Sequence, residues 1–287
     1  MTITRLQFLA RSFALLLAST VVAAATGGAV ADYDQQQLDE LSAKQAELTP
    51  AEAQAALWRA AHENSPKTVA WLLQHGANAD AQDESGKTAL ILNVLGARHD
   101  DTTIEQLEKA FKDLPPWPGE DAKTEQATFE LLLKSTHEID ARDGKGITAL
   151  LYAAALKRFD IVLRLHAAGA DLNAKSTGGE APIFYAPPAT LATLVKLGAD
   201  INATDARGGT VLHRAMRSLC DDRLRDYVDK ATKAGARDSM NTKGQWASEV
   251  PDPGFCPTLD FGPNGLSKQL ALVEAVRKQV KATRPKG

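Results

Sequence analysis

Six histidines, two cysteines and a recurrent set of aspartates are the residues whose types could do chemistry in this chain. His213, in Thr210-Val211-Leu212-His213, would act as a general base if a nucleophile and an orienting carboxylate stood beside it. No such partner lies at a telling offset. Its expected role is structural, an imidazole bonding backbone groups of adjacent turns. His62, His75, His99, His137 and His166 occur singly, without the paired helix spacing that holds a metal. The aspartates of Asn78-Ala79-Asp80-Ala81-Gln82-Asp83 suggest a calcium loop, but the closing glutamate is missing at the required offset. Asn202-Ala203-Thr204 is a glycosylation sequon whose Asn also fills a recurring turn position. The chain contains no GxSxG, P-loop, dinucleotide fingerprint, HExxH or EF-hand. The expectation is a protein with no catalytic site, no metal and no cofactor.

Composition narrows the class further. The chain has 287 residues, 44% hydrophobic and 24% charged, which suits a packed soluble fold and excludes wholesale disorder or a polytopic membrane protein. Thirty-three Lys and Arg against 36 Asp and Glu leave a formal charge of −3, so no global basic field attracts nucleic acid or anionic lipid. Residues 1–31 read as a signal peptide: Arg5 and Arg11 without acids, the apolar Phe13-Ala14-Leu15-Leu16-Leu17-Ala18 and Val21 to Ala25, then Ala29-Val30-Ala31. A membrane anchor would need about 20 apolar residues, and Ser19 and Thr20 interrupt the run. Cleavage is expected between Ala31 and Asp32, with small-residue sites near Ala25 as the alternative. The mature chain is then expected in a bacterial periplasm or outside the cell, without membrane insertion.

Self-similarity organises the rest. Asp83-Glu84-Ser85-Gly86-Lys87-Thr88-Ala89-Leu90, Asp143 to Leu150 and Asp205 to Leu212 align without gaps. Each follows a second shared segment: Gly76 to Ala81, the degenerate Thr136 to Ala141, and Gly198 to Ala203. A further copy of that segment, Gly169 to Ala174, precedes Ser176, which lies 33 residues after Asp143. Gly86, Gly146 and Gly208 supply backbone conformations that a tight turn demands. Thr88, Thr148 and Thr210 stand where an N-cap starts a helix. Alanine-rich inner helices and leucine-rich outer helices follow each turn.

The pattern resembles the ankyrin repeat, a turn plus two antiparallel helices with a Thr-Pro-Leu-His signature whose His position His213 fills. The resemblance implies an all-α repeat solenoid. Its proline is replaced by Ala89, Ala149 and Val211, and the copy that keeps Pro182 has lost the threonine. The expected organisation is an N-terminal arm or short helix over 32–48 and a repeat domain over 49–250. Its units are about 49–82, 83–142, 143–175, 176–204 and 205–240, with a degenerate start at 241–250. A loop over 251–266 and a capping helix over 267–282 close the chain. In the 176–204 unit, Ala186-Pro187-Pro188 should curtail the inner helix. The 83–142 unit carries an insert, 96–123, with a candidate helix Thr103 to Phe111 and a rigid Leu114-Pro115-Pro116-Trp117-Pro118 segment.

Cys220 and Cys256 lie 36 residues apart, close to one repeat, so they could meet across adjacent units. In an exported chain the even count favours a disulfide over two free thiols. Phe111 and Trp117 are either aromatic anchors for a partner or a local patch on the solenoid. Glu84, Lys87, Lys145, Glu180, Arg207 and Lys243 at the turn tips are mixed in sign and read as a general interaction edge. The resemblance implies non-catalytic binding of another protein by a monomeric chain, through turn tips and inner helices. With export, that suggests an immunity or protective factor. The alternatives are an envelope-organising scaffold or a factor linked to peroxide protection, with an enzyme a distant third.

Overall fold

A computed structural model describes residues 29–96, 122–218, 222–249 and 265–285. Among them are eleven α-helices, three short 3-10 turns and one isolated antiparallel bridge, Met240 to Trp246. This is an all-α repeat solenoid. The described residues form two compact units, one of 29–96 with 122–137 and one from 138 onward.

The first unit holds α1 (Ala29–Ala43), a 3-10 turn (Gln45–Glu47), α2 (Pro50–His62), α3 (Pro66–Gln74), α4 (Ala89–Leu95) and α5 (Ala122–Ser135). Of the arm or short helix expected over 32–48, the residues up to Ala43 belong to α1. Thr49 starts α2 with a capping box: its hydroxyl accepts the Glu52 N–H, while the Glu52 carboxylate accepts the Thr49 N–H at 2.9 Å. Ser65 stands at the N-cap of α3 but its side chain makes no capping bond. The cap comes from α1 instead. Asp34, 3% exposed, accepts the N–H groups of Lys67 and Thr68 at 3.0 Å each, and the Thr68 hydroxyl at 2.8 Å. That carboxylate satisfies donors the helix leaves orphaned and sits at the positive end of its dipole. Leu57, Val69, Leu72, Phe129 and Leu132 form the core, and every residue of α4 is buried.

The second unit holds α6 (Ala149–Ala155), α7 (Phe159–Ala167), a 3-10 turn (Pro182–Tyr185), α8 (Pro188–Lys196), α9 (Val211–Ser218), α10 (Asp222–Lys233), a 3-10 turn (Ala247–Glu249) and α11 (Gly265–Ala282). Leu150, Leu151, Leu165 and Ile183 anchor its core. As expected, the fourth copy has only a single 3-10 turn where its inner helix should run, because two prolines follow at once. Outer helices end at Gly169, Gly198 and Gly235, with φ of 103°, 104° and 103°. These left-handed C-terminal positions suit glycine. The closing helix starts at Gly265, two residues before the expected Ser267, and buries Val273, Val276 and Val280.

Just beyond α11, Arg284 fastens the end of the stack. Its Nε donates to Asp238 at 3.1 Å and its Nη2 to Glu249 at 3.0 Å, and the guanidinium lies 3.8 Å from the Trp246 ring centre. Asp238 is fully buried and also accepts the Ser248 N–H and hydroxyl, at 3.1 and 2.7 Å. The candidate helix Thr103 to Phe111, the Leu114 to Pro118 segment, Trp117, Cys220 and Cys256 lie outside the described residues.

Candidate functional site

Each turn opens with a residue whose side-chain oxygen organises the backbone around it. Asp143 Oδ1 accepts the N–H groups of Lys145 and Ile147 at 2.8 Å each, while the Gly146 N–H donates to the Asp143 carbonyl at 2.8 Å. Asp83 repeats this with Ser85 and Lys87, and Asp205 with Arg207 and Gly209, all at 2.8 Å. Asn241 does the same with Lys243 and Gln245 at 2.9 and 3.1 Å. The short polar side chain satisfies two donors and closes the turn without any other chain segment. Ser176, with its shorter reach, makes one bond of this kind, to the Glu180 N–H at 3.3 Å.

Successive turns are laced by their backbones. The Thr177 N–H donates to the Lys145 carbonyl at 3.2 Å, Ala206 to Gly178 at 2.9 Å, and Thr242 to Arg207 at 3.0 Å. The Thr177 and Thr242 hydroxyls donate to the same Lys145 and Arg207 carbonyls, at 2.9 Å each. Close approach explains the glycines. A Cβ at Gly179 would stand 2.5 Å from the Ala206 nitrogen, and one at Gly208 2.9 Å from the Thr242 nitrogen. Gly146, at φ +72°, is less crowded, with its nearest atoms at 3.1 Å on Thr177.

A second ladder runs at the base of the repeats. Asn173 accepts the Asp200 N–H at 2.8 Å and donates to the Gly198 carbonyl at 2.9 Å. Asn202 treats Arg237 and Gly235 the same way, at 2.9 and 3.1 Å. The sequon asparagine is therefore held by two bonds to the next repeat. Asp80, in the aspartate run that lacks a calcium loop's closing glutamate, accepts the His137 N–H. Among the described residues, no group of His, Cys, Asp and Glu could hold a metal ion, and no helix is long and apolar enough to cross a membrane.

His213 is fully buried. Its Nδ1 accepts the Thr210 N–H at 3.1 Å, which leaves the proton on Nε2, facing the Gln245 carbonyl at 3.2 Å. The imidazole thus bonds backbone groups of two turns, the structural role expected of it. Burial is the main influence, pushing its pKa below the ordinary histidine value. The Gln245 bond and the Asp238 and Asp205 charges oppose that shift, and Arg217 reinforces it.

Of the six residues expected at the edge, Glu84, Lys145, Arg207 and Lys243 are exposed, and Lys87 is half-buried. Glu180 is half-buried and accepts the Tyr185 hydroxyl at 2.7 Å, with Arg214 at 3.4 Å, so it braces its own unit. The repeat-defining Thr88 and Thr148 cap their helices through Ile91 and Leu151 at 3.3 and 3.2 Å. Ala31 and Asp32 fall within α1. Sequence reasoning missed Tyr152, whose hydroxyl donates to Asp143 at 2.6 Å, and the Asp34 and Arg284 fastenings. The recurring Asn at 173 and 202 carried a readable signal; Asp34 and Arg284 occur once each and carried none.

A laced stack of turns with helix pairs behind it defines a repeat scaffold that offers an edge to other macromolecules. Comparison with known families agrees: residues 57–100 match the model for "Ankyrin repeats (many copies)" and residues 145–177 that for "Ankyrin repeat". Ankyrin repeats are present in the chain, and they indicate a protein-binding scaffold. A curated relative, "Potassium channel AKT2/3" of Arabidopsis thaliana, is 29% identical over 170 residues, 57% of this chain. The chain covers only 21% of that relative's length.

Proposed function

We propose that this chain is a non-catalytic, exported scaffold that grips one protein partner along its turn tips and acts as a protective or immunity factor. The observation that carries the reading is the laced tip row, in which exposed Lys145, Arg207 and Lys243 project from backbones hydrogen-bonded to neighbouring turns. A pre-organised turn backbone loses little freedom on binding, which favours recognition there. The inner helices are less suited, since all residues of α4 and α6 are buried. The insert with Phe111 and Trp117 adds a specific contact in this reading, and a Cys220–Cys256 disulfide secures the C-terminal repeats after cleavage before Asp32. Site-specific photo-crosslinking tests the edge. A crosslinker at 145, 207 or 243 should form a discrete protein adduct in envelope extract, while one at the exposed outer-helix Leu163 should not. Adducts from position 163 with none from the tips would overturn the reading. N-terminal sequencing and non-reducing peptide mapping of the same material check cleavage and the disulfide.

A further inference from the structure

We infer that the partner surface held by the second unit is an acidic protein segment, because the tip row of that unit is an exposed line of cations on a fixed backbone. The inference rests on the tip reading above. In sequence the tips are mixed in sign, but folding separates the signs. Asp143, 6% exposed, spends its carboxylate on two backbone N–H groups and the Tyr152 hydroxyl. Asp205 accepts the N–H groups of Arg207 and Gly209, and Glu180 is held by Tyr185 and Arg214. The acids are thus drawn beneath the tips as parts of the turns.

The cations stay outside. Lys145, Arg207 and Lys243 stand exposed on three of the four turns in this unit. Two more basic side chains stitch one turn to the next: Arg142 donates to the Gly146 and Lys175 carbonyls, and Lys175 Nζ to the Thr204 carbonyl at 2.8 Å. A carbonyl partner holds the Lys175 ammonium in place without cancelling its charge. Lys145, Lys175, Arg207 and Lys243 therefore share one edge of a chain whose formal charge is −3. The negative balance of the chain disfavours a long polyanion such as nucleic acid. A short acidic protein segment meets only the local field, which reaches about 8 Å at physiological salt. Charge complementarity of this kind sets on-rate and partner choice.

The test uses the full mature chain and a fluorescein-labelled dodecapeptide of alternating Glu and Ser, read by anisotropy at low and physiological salt. Binding is expected, and the triple variant Lys145→Ser, Arg207→Ser, Lys243→Ser should weaken it roughly tenfold. A control variant, Lys196→Ser, Lys233→Ser, Lys278→Ser, removes the same charge from exposed positions away from the tips and should bind as the parent does. Equal losses in both variants, or no peptide binding, would overturn the inference. So would tighter binding of a 12-nucleotide single strand or of phosphatidylglycerol vesicles. The two proposals fail separately. Crosslinks from position 145 that persist undiminished when Arg207→Ser and Lys243→Ser are added sink the acidic partner and leave the tip reading standing, whereas absent tip crosslinks sink the tip reading itself.

Discussion

The first and the last described helices are each fastened through a buried carboxylate, yet in different ways. At the first end, Asp34 takes neutral donors only, the Lys67 and Thr68 N–H groups and the Thr68 hydroxyl. At the last, Asp238 faces the Arg284 guanidinium and the Ser248 side chain. The first is a helix cap supplied from another helix; the second is an ion pair stacked on an aromatic ring. The difference teaches that a terminal repeat needs its exposed polar groups satisfied, while the chemistry of the satisfaction is free. α1 supplies the first acceptor and the segment after α11 the second cation.

Breaking the first end should have the largest effect. Asp34→Ala leaves two helix N–H groups without their acceptor, while the Thr68 hydroxyl keeps the Asp34 backbone carbonyl at 3.2 Å, and should lower stability by about 3 kcal/mol in urea unfolding. Asp34→Asn, which keeps one oxygen acceptor, should recover part of the loss. A wild-type midpoint for Asp34→Ala would mean that water replaces the carboxylate and that α1 is dispensable.

Next comes the other end. Arg284→Ala removes the cation facing buried Asp238 while leaving both Ser248 bonds, so a loss of stability smaller than that of Asp34→Ala is expected in urea unfolding. Arg284→Lys should restore little, since an ammonium lacks the planar fork and the stacking on Trp246. Raising the salt concentration should weaken the parent more through this end than through the Asp34 end, and thermal melts of the two variants at low and high salt would show it.

Acid should discriminate between the ends more gently. His213 has a folded pKa below its unfolded value of about 6.5, so the unfolded chain binds the extra proton first. Its stability contribution is therefore fully present above about pH 6.5 and is lost as the pH falls from there through the lowered folded value. Because His213 bonds the 241–245 turn, protection from hydrogen exchange, taken relative to the intrinsic rate at each pH, should fall around that turn between pH 7 and 5 before it falls around Thr68. His213→Gln should flatten the pH dependence. The smallest effect belongs to the edge: exposed Lys145→Ser should leave stability within about 0.5 kcal/mol of the parent.

Much of the local structure could be read in advance. Gly146 before Thr148 foretold the turn and the capped α6, and Ala186-Pro187-Pro188 foretold the truncated fourth inner helix. Both depend on residues close in the chain, where spacing and backbone preference suffice. Glu180 shows where that reasoning stops: its type and place promised a tip charge, but Tyr185 and Arg214 hold it against its own unit. The residues expected in the insert and the two cysteines are not among those the structure describes.

By itself the sequence determined the repeat, its turn chemistry, the helix pairs and the all-α class, because each follows from short-range periodicity and glycine, proline or cap placement. Tertiary structure decided which polar groups are spent and which remain. Asp143 and Lys145 look alike as charges on a turn, yet one carboxylate is within reach of two backbone N–H groups and a tyrosine hydroxyl from α6, and the ammonium is not. Asp34 and Arg284 likewise found their partners 34 and 46 residues away, distances at which no local pattern carries information.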